Sequence, residues 1–188
     1  MPVITPVPPL PEVTIRLSEL VPPLYRHYFN GRPDRPNYRV RRYDFGSSAK
    51  FLPLVRAYLN TCAAQRDADY QYLFCLLGTE LAANALKHSR SGLPGRSYSL
   101  LCERHRAGLL LTCRDDGGLA NRKLDVYERE YLTVDPSGLD PRAECGRGLA
   151  MIDALASKWG DNGRPNYRKV WFFLAYDMED SLWPDLRA

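Results

Sequence analysis

Apolar positions along the chain follow two rhythms, one of about 3.6 residues and one of two. Phe51, Leu54, Val55, Tyr58 and Cys62 share one helical face, which predicts a helix starting near residue 50 with Pro53 in its first turn. Residues 68–88 are apolar on almost every side, as expected of a central buried helix. A third helix is predicted to open at Gly146–Gly148 and run to Trp159, with Leu149, Ile152, Leu155, Ala156 and Trp159 facing inward. Strand patterns lie at Arg39–Phe45, in a hairpin of Tyr98–Glu103 and Leu109–Arg114 turning near Gly108, and at Lys169–Tyr176. The last of these is apolar enough to be buried on both faces. This order predicts an α+β fold, about three helices covering one face of a mixed, mostly antiparallel sheet. Residues 119–145 lack periodicity and hold Pro136, Gly138 and Pro141, and a loop of that length inside a compact domain is usually functional.

The first 38 residues have a different character. Nine of the 15 prolines fall in the first 36 positions, so Pro2–Pro11 reads as extended rather than helical. Glu12–Leu17 alternates like a short strand, and Leu20–Tyr28 is apolar and aromatic enough to pack on something. The chain therefore divides into an arm (1–38), a regular domain (39–176) and a short tail (177–188). With 188 residues, 45% hydrophobic and 26% charged, it has the composition of one globular domain. No apolar run approaches the ~20 residues of a membrane helix, and the proline-broken start has no basic flank. Neither a membrane span nor a secretory leader is expected. Five cysteines, an odd number without a CxxC pair, sit mostly in apolar stretches, the usage of reduced thiols in a cytoplasmic protein. The net charge of +4 is spread along the chain. Its one basic cluster, Arg35–Arg42, has neither a reading helix nor a stacking-aromatic motif beside it, so a nucleic-acid partner is not expected.

Two strongly polar side chains, Glu80 and Asn84, interrupt the central helix. At 100° per residue they fall with Lys87 within about 60° of arc, beside His88, and they continue the stripe of Leu73 and Leu77. Burying such groups without partners costs about 1–3 kcal/mol or more each. Either they satisfy one another or reach water, or their face lines a ligand cavity. In the second case Asn84 offers an amide oxygen to Mg²⁺, Glu80 one turn earlier is placed to accept a proton, and Lys87 meets phosphate oxygens. Asp115-Asp116-Gly117-Gly118 closes a strand. It is an ordinary turn sequence, or else Asp115 accepts a hydrogen bond from an adenine amino group while Gly117 lets the backbone pass beneath the ring. Asp115 ends the strand in the better phase; a register shift of one would put Asp116 there instead. Gly146-Arg147-Gly148 opens the third helix, where free N–H groups form an anion cradle and Arg147 adds charge, although close packing alone would also use these glycines.

Taken in order, Glu-x-x-x-Asn on a helix, Asp-x-Gly after a strand, a long loop and Gly-x-Gly before a helix resemble the GHKL (histidine kinase-like) ATPase superfamily. The similarity is greatest to its bacterial anti-sigma factor and serine-protein kinase branch. ELAANALKHS at 80–89, CRDDGG at 113–118, and GRGLAMIDALASKWG at 146–160 followed by KVWFFL at 169–174 carry it. The resemblance implies a Bergerat-type ATP-binding sandwich that takes ATP and Mg²⁺. It implies Asn84 as the metal ligand, Glu80 as the general base for a serine hydroxyl, Asp115 and Gly117 at the adenine, and Gly146, Arg147 and Gly148 at the phosphates. Lys87 and His88 adjoin the nucleotide, and 119–145 is its lid. Leu119 and Ala150 stand where the fuller family pattern has further glycines.

The activity implied is that of a serine/threonine protein kinase acting on a regulatory partner, an anti-sigma antagonist, with a sigma factor as a second partner and homodimerisation as a further family trait. A nucleotide-gated interaction module that binds ATP without phosphotransfer is the alternative. The three histidines lie in no phosphoacceptor helix, which argues against a sensor histidine kinase, and no transducer domain follows Trp171, which argues against a topoisomerase or chaperone fragment.

Overall fold

The computed structural model describes residues 16, 19–32, 38–118, 129–139 and 146–183. The expected strand at Glu12–Leu17, the extended Pro2–Pro11 and most of the 119–145 loop lie outside the described residues. Five strands, β1 (Val40–Gly46), β2 (Ser97–Arg104), β3 (Gly108–Arg114), β4 (Lys158–Asp161) and β5 (Lys169–Ala175), form one sheet in the order β1-β2-β3-β5-β4. Among the described residues every pairing is antiparallel, and no parallel pair makes the sheet mixed. Three helices, α1 (Leu52–Ala63), α2 (Ala68–His88) and α3 (Arg147–Leu155), complete an α+β architecture. No helix is long and apolar enough to cross a membrane among the described residues.

Helix starts follow local chemistry. Ser48 accepts the Lys50 amide at 3.3 Å ahead of α1, and Pro53 sits in the first turn, where its missing N–H costs nothing. Asp67 caps α2 by accepting the Tyr70 amide at 2.9 Å. The long α2 is the centre of the core, with Tyr70, Leu73, Phe74 and Leu77 fully buried. It reaches that position through Gly78, where a Cβ would lie 2.7 Å from a Leu59 methyl on α1 and 2.9 Å from a Leu111 methyl on β3. Only a residue without a side chain lets α2 touch both layers. The Tyr70 hydroxyl donates to the Leu174 carbonyl at 2.7 Å, tying the helix start to β5.

The sheet buries one face against the helices, through Leu100, Leu109, Leu111, Phe172 and Leu174. Leu101, Leu110, Trp171 and Phe173 lie on the other face and are only half-buried. The expectation that 169–176 is buried on both faces is therefore corrected: helices cover β5 on one side only, and its side chains alternate in burial. A second correction concerns α3, which ends at Leu155 rather than Trp159. Ala156 turns extended (φ −83°, ψ 148°), and Lys158–Asp161 becomes a strand with Trp159 opposite Phe172. Gly160 lies flat against Trp171, where a Cβ would meet the indole at 2.9 Å. Before β1, residues Pro23–Tyr28 form a 3-10 turn that lays Tyr28 and Phe29 edge-on to Tyr58 and Tyr43, and Val21 is buried beside them.

Candidate functional site

The apolar stripe of α2 ends where Leu73 and Leu77 give way to Glu80 and Asn84, one and two turns further on. At that end of the helix a cavity of about 740 Å³ opens between α2, the turn after β3, the start of α3 and the loop joining β4 to β5. Glu80, Asn84, Lys87 and His88 border it from α2, Lys87 and His88 at its exposed rim. Asp115 and Gly117 border it from the turn after β3, and Gly146, Arg147 and Gly148 from the start of α3. Three stretches far apart in sequence thus meet around one space, and every site residue named from the sequence faces it.

The closest meeting point is Gly148. A Cβ built there would stand 2.8 Å from Glu80 Oε2 and 3.2 Å from the Asn84 amide nitrogen. The start of α3 is therefore seated directly on the polar end of α2, where any side chain at 148 would have to displace the ends of Glu80 and Asn84. Among the described residues neither the Glu80 carboxylate nor the Asn84 amide forms a side-chain hydrogen bond, to each other or elsewhere. The alternative in which these groups satisfy each other does not hold. Burial pushes the Glu80 carboxyl above its ordinary value, and the Arg147 and Arg56 guanidinium groups pull it back in part. Gly146 holds φ +81° at the N-cap of α3, so the helix opens from a left-handed residue.

The turn after β3 is fixed from several sides. Gly117 donates its amide to Asp115 Oδ1 at 2.7 Å and accepts from the Arg90 amide at 2.8 Å. Gly118 donates to the Pro165 carbonyl at 2.9 Å. Asp115 is 8% exposed and faces the cavity, whereas Asp116 turns outward to Arg96 at 3.8 Å. The register is thus the one that puts Asp115 in the site. Burial raises the Asp115 carboxyl above its ordinary value; the Gly117 amide and the Arg168 charge oppose this, and Asp116 adds to it.

The folded chain consequently binds this proton more readily than the unfolded chain, and stability is lost as pH rises from the ordinary aspartate value through the raised one. Asp115→Asn keeps the acceptor for Gly117 and removes the buried charge. Thermal melts should show a higher Tm than wild type at neutral pH, with the difference shrinking as pH falls through the raised value and levelling off below the ordinary aspartate value of about 4. A variant less stable than wild type at pH 7 would overturn this account.

Sequence reasoning missed the fourth wall. Arg168, Pro165 and Asn166 border the cavity from the β4–β5 loop, and Glu130 and Leu132 from the returning end of the 119–145 loop. Asp161 organises this side. Its side chain is 2% exposed, Oδ2 accepts the Leu132 amide at 2.8 Å, and Oδ1 accepts the Gly163 amide at 2.6 Å and Arg168 at 3.4 Å. The Asp161-Asn162-Gly163 turn signal marks the place in the sequence, but nothing local says that Asp161 reaches back 29 residues to Leu132. Glu130 also donates its amide to the Gly163 carbonyl at 2.8 Å. The volume falls within the range of about 300–1,000 Å³ usual for small-molecule sites. No known protein-family model matches the chain, and no curated protein matches it.

Proposed function

We propose that this cavity binds ATP with Mg²⁺ and that the chain is a Bergerat-type, GHKL-like regulatory protein of the anti-sigma, serine-kinase kind. The observation that carries this reading is the seat of Gly148 on Glu80 and Asn84, beside a cavity that Asp115 and Gly117 also border. The residues present fit the ligand. Asn84 offers an amide oxygen, the ligand type a hard divalent ion takes, and among the described residues it has no hydrogen-bond partner. The first N–H groups of α3, opened by Gly146 and Gly148 and flanked by Arg147, suit phosphate oxygens. Asp115 suits an adenine amino group, and Gly117 borders the cavity beside it. Bound Mg²⁺ supplies neutralisation of the phosphate charge and alignment of the transferred group. Glu80, half-buried next to Asn84, takes the proton from an incoming serine or threonine hydroxyl of a protein partner.

Ala150, which replaces a family glycine, is 3% exposed and packs at the Gly138 turn rather than on the cavity, so this substitution leaves the phosphate side intact. The test is calorimetric titration of ATP with and without Mg²⁺. Wild type should bind in a metal-dependent manner, and Asn84→Ala should lose about 10–100-fold in affinity, the equivalent of one charge-assisted contact. Absence of binding in the wild type would overturn the proposal.

A further inference from the structure

On the wall that the β4–β5 loop gives to the cavity, one cation has more donors than partners. The β3–β5 register places Cys113 opposite Val170 and Arg114 opposite Lys169. It continues by one residue, since the Asp115 amide donates to the Arg168 carbonyl at 3.0 Å. Residues opposite each other in an antiparallel ladder send their side chains to the same face, and alternate residues share it. Asp115 and Arg168 therefore stand side by side on the face of Cys113 and Val170, and all four border the cavity. The two charges are not joined. Asp115 Oδ1 accepts the Gly117 amide at 2.7 Å, and Arg168 Nη1 donates to Asp161 Oδ1 at 3.4 Å. Among the described residues neither side chain has another hydrogen-bond partner. The Arg168 side chain is only 15% exposed, and a guanidinium carries about five N–H donors, most of them thus unmatched by protein. Donors withdrawn from water without acceptors are unfavourable, and an acceptor arriving beside Asp115 relieves this.

We propose, resting on the nucleotide reading of this cavity, that Arg168 is a specificity-determining residue that donates to the ring nitrogen next to the amino group held by Asp115. An adenine edge offers an amino donor with a ring-nitrogen acceptor beside it, N1 on one side and N7 on the other. A carboxylate next to a guanidinium is the matching pair, acceptor to donor and donor to acceptor. The carboxylate alone would hold any amino group; the adjoining cation demands an acceptor next to it. Asp161 positions that cation. Its own side chain is 2% exposed and fixed by the Leu132 and Gly163 amides.

The full chain with Mg²⁺ is titrated calorimetrically with ATP, 1-deaza-ATP and 7-deaza-ATP, in which carbon replaces one or the other ring nitrogen. Wild type should bind one of the two analogues about ten-fold or more weakly than ATP, the loss of one hydrogen bond from a charged donor. Arg168→Met, which removes the donors, should bind ATP as weakly as wild type binds that analogue, and lose nothing further on it. The wild-type titrations stand whether or not the variant folds. Equal wild-type affinity for ATP and both analogues would overturn the Arg168 contact and leave nucleotide binding intact. An analogue penalty that persists in full in Arg168→Met would assign the contact to another group and overturn it too. Failure of wild type to bind ATP at all would overturn the nucleotide reading and the contact together.

Discussion

Glu80→Gln is expected to bind ATP within about two-fold of wild type and to lose phosphoryl transfer by about 10²–10⁴-fold, the usual contribution of a positioned base. The substitution keeps the length and shape of the side chain, so Gly148 can still seat on it. What disappears is an oxygen able to take a proton. Because burial holds the Glu80 carboxyl above its ordinary value, the acid limb of the wild-type rate profile should lie above the ordinary glutamate range. The measurement is transfer of labelled γ-phosphate to a co-purified protein partner across pH. A variant that transfers as fast as wild type would remove Glu80 from the chemistry. ATP binding in both proteins with transfer in neither would select the nucleotide-gated interaction module instead.

Gly117→Ala is expected to lower stability by about 2–5 kcal/mol, from the left-handed backbone and from steric overlap together. Gly117 has φ +74°, and a Cβ there would stand 2.0 Å from the Pro165 carbonyl oxygen and 2.6 Å from Asn166 Cα. Both obstacles are backbone, so no side chain can swing away. For a chain of this size the drop corresponds to roughly 5–20 °C in Tm. The neighbouring Gly118 serves as the control: a Cβ there meets nothing within 4 Å, and Gly118→Ala should melt close to wild type. Relief of the clash would have to move the Pro165–Arg168 segment, which borders the cavity, so ATP affinity should fall with stability in Gly117→Ala and hold in Gly118→Ala. Equal melting temperatures for the two variants would overturn the argument.

The site was more legible in the sequence than parts of the fold. Glu80 and Asn84 could be read because a polar pair on an otherwise apolar helix has few physical explanations, and helical phase places them on one stripe without tertiary information. The glycines at 117, 146 and 148 were visible by position, next to a strand end and a helix start. β4 was not legible, since Leu155, Ala156 and Trp159 keep helical spacing across a boundary that pairing with β5 imposes. The hairpin signal at Asp161-Asn162-Gly163 was present but followed a pattern that already looked complete. Arg168 and Leu132 were hidden for a different reason. Their place depends on a buried carboxylate that gathers donors from two distant segments, and no period or spacing encodes that.

Asp161 also bears on selectivity. The segment that carries Leu132 is fastened by its main chain to a carboxylate rooted in the sheet, which ties this side of the pocket to β4. Displacing this wall for a larger ring system would cost the Leu132 and Gly163 hydrogen bonds to Asp161. Under the proposed nucleotide reading, bulkier or differently substituted bases would be rejected on shape at this side.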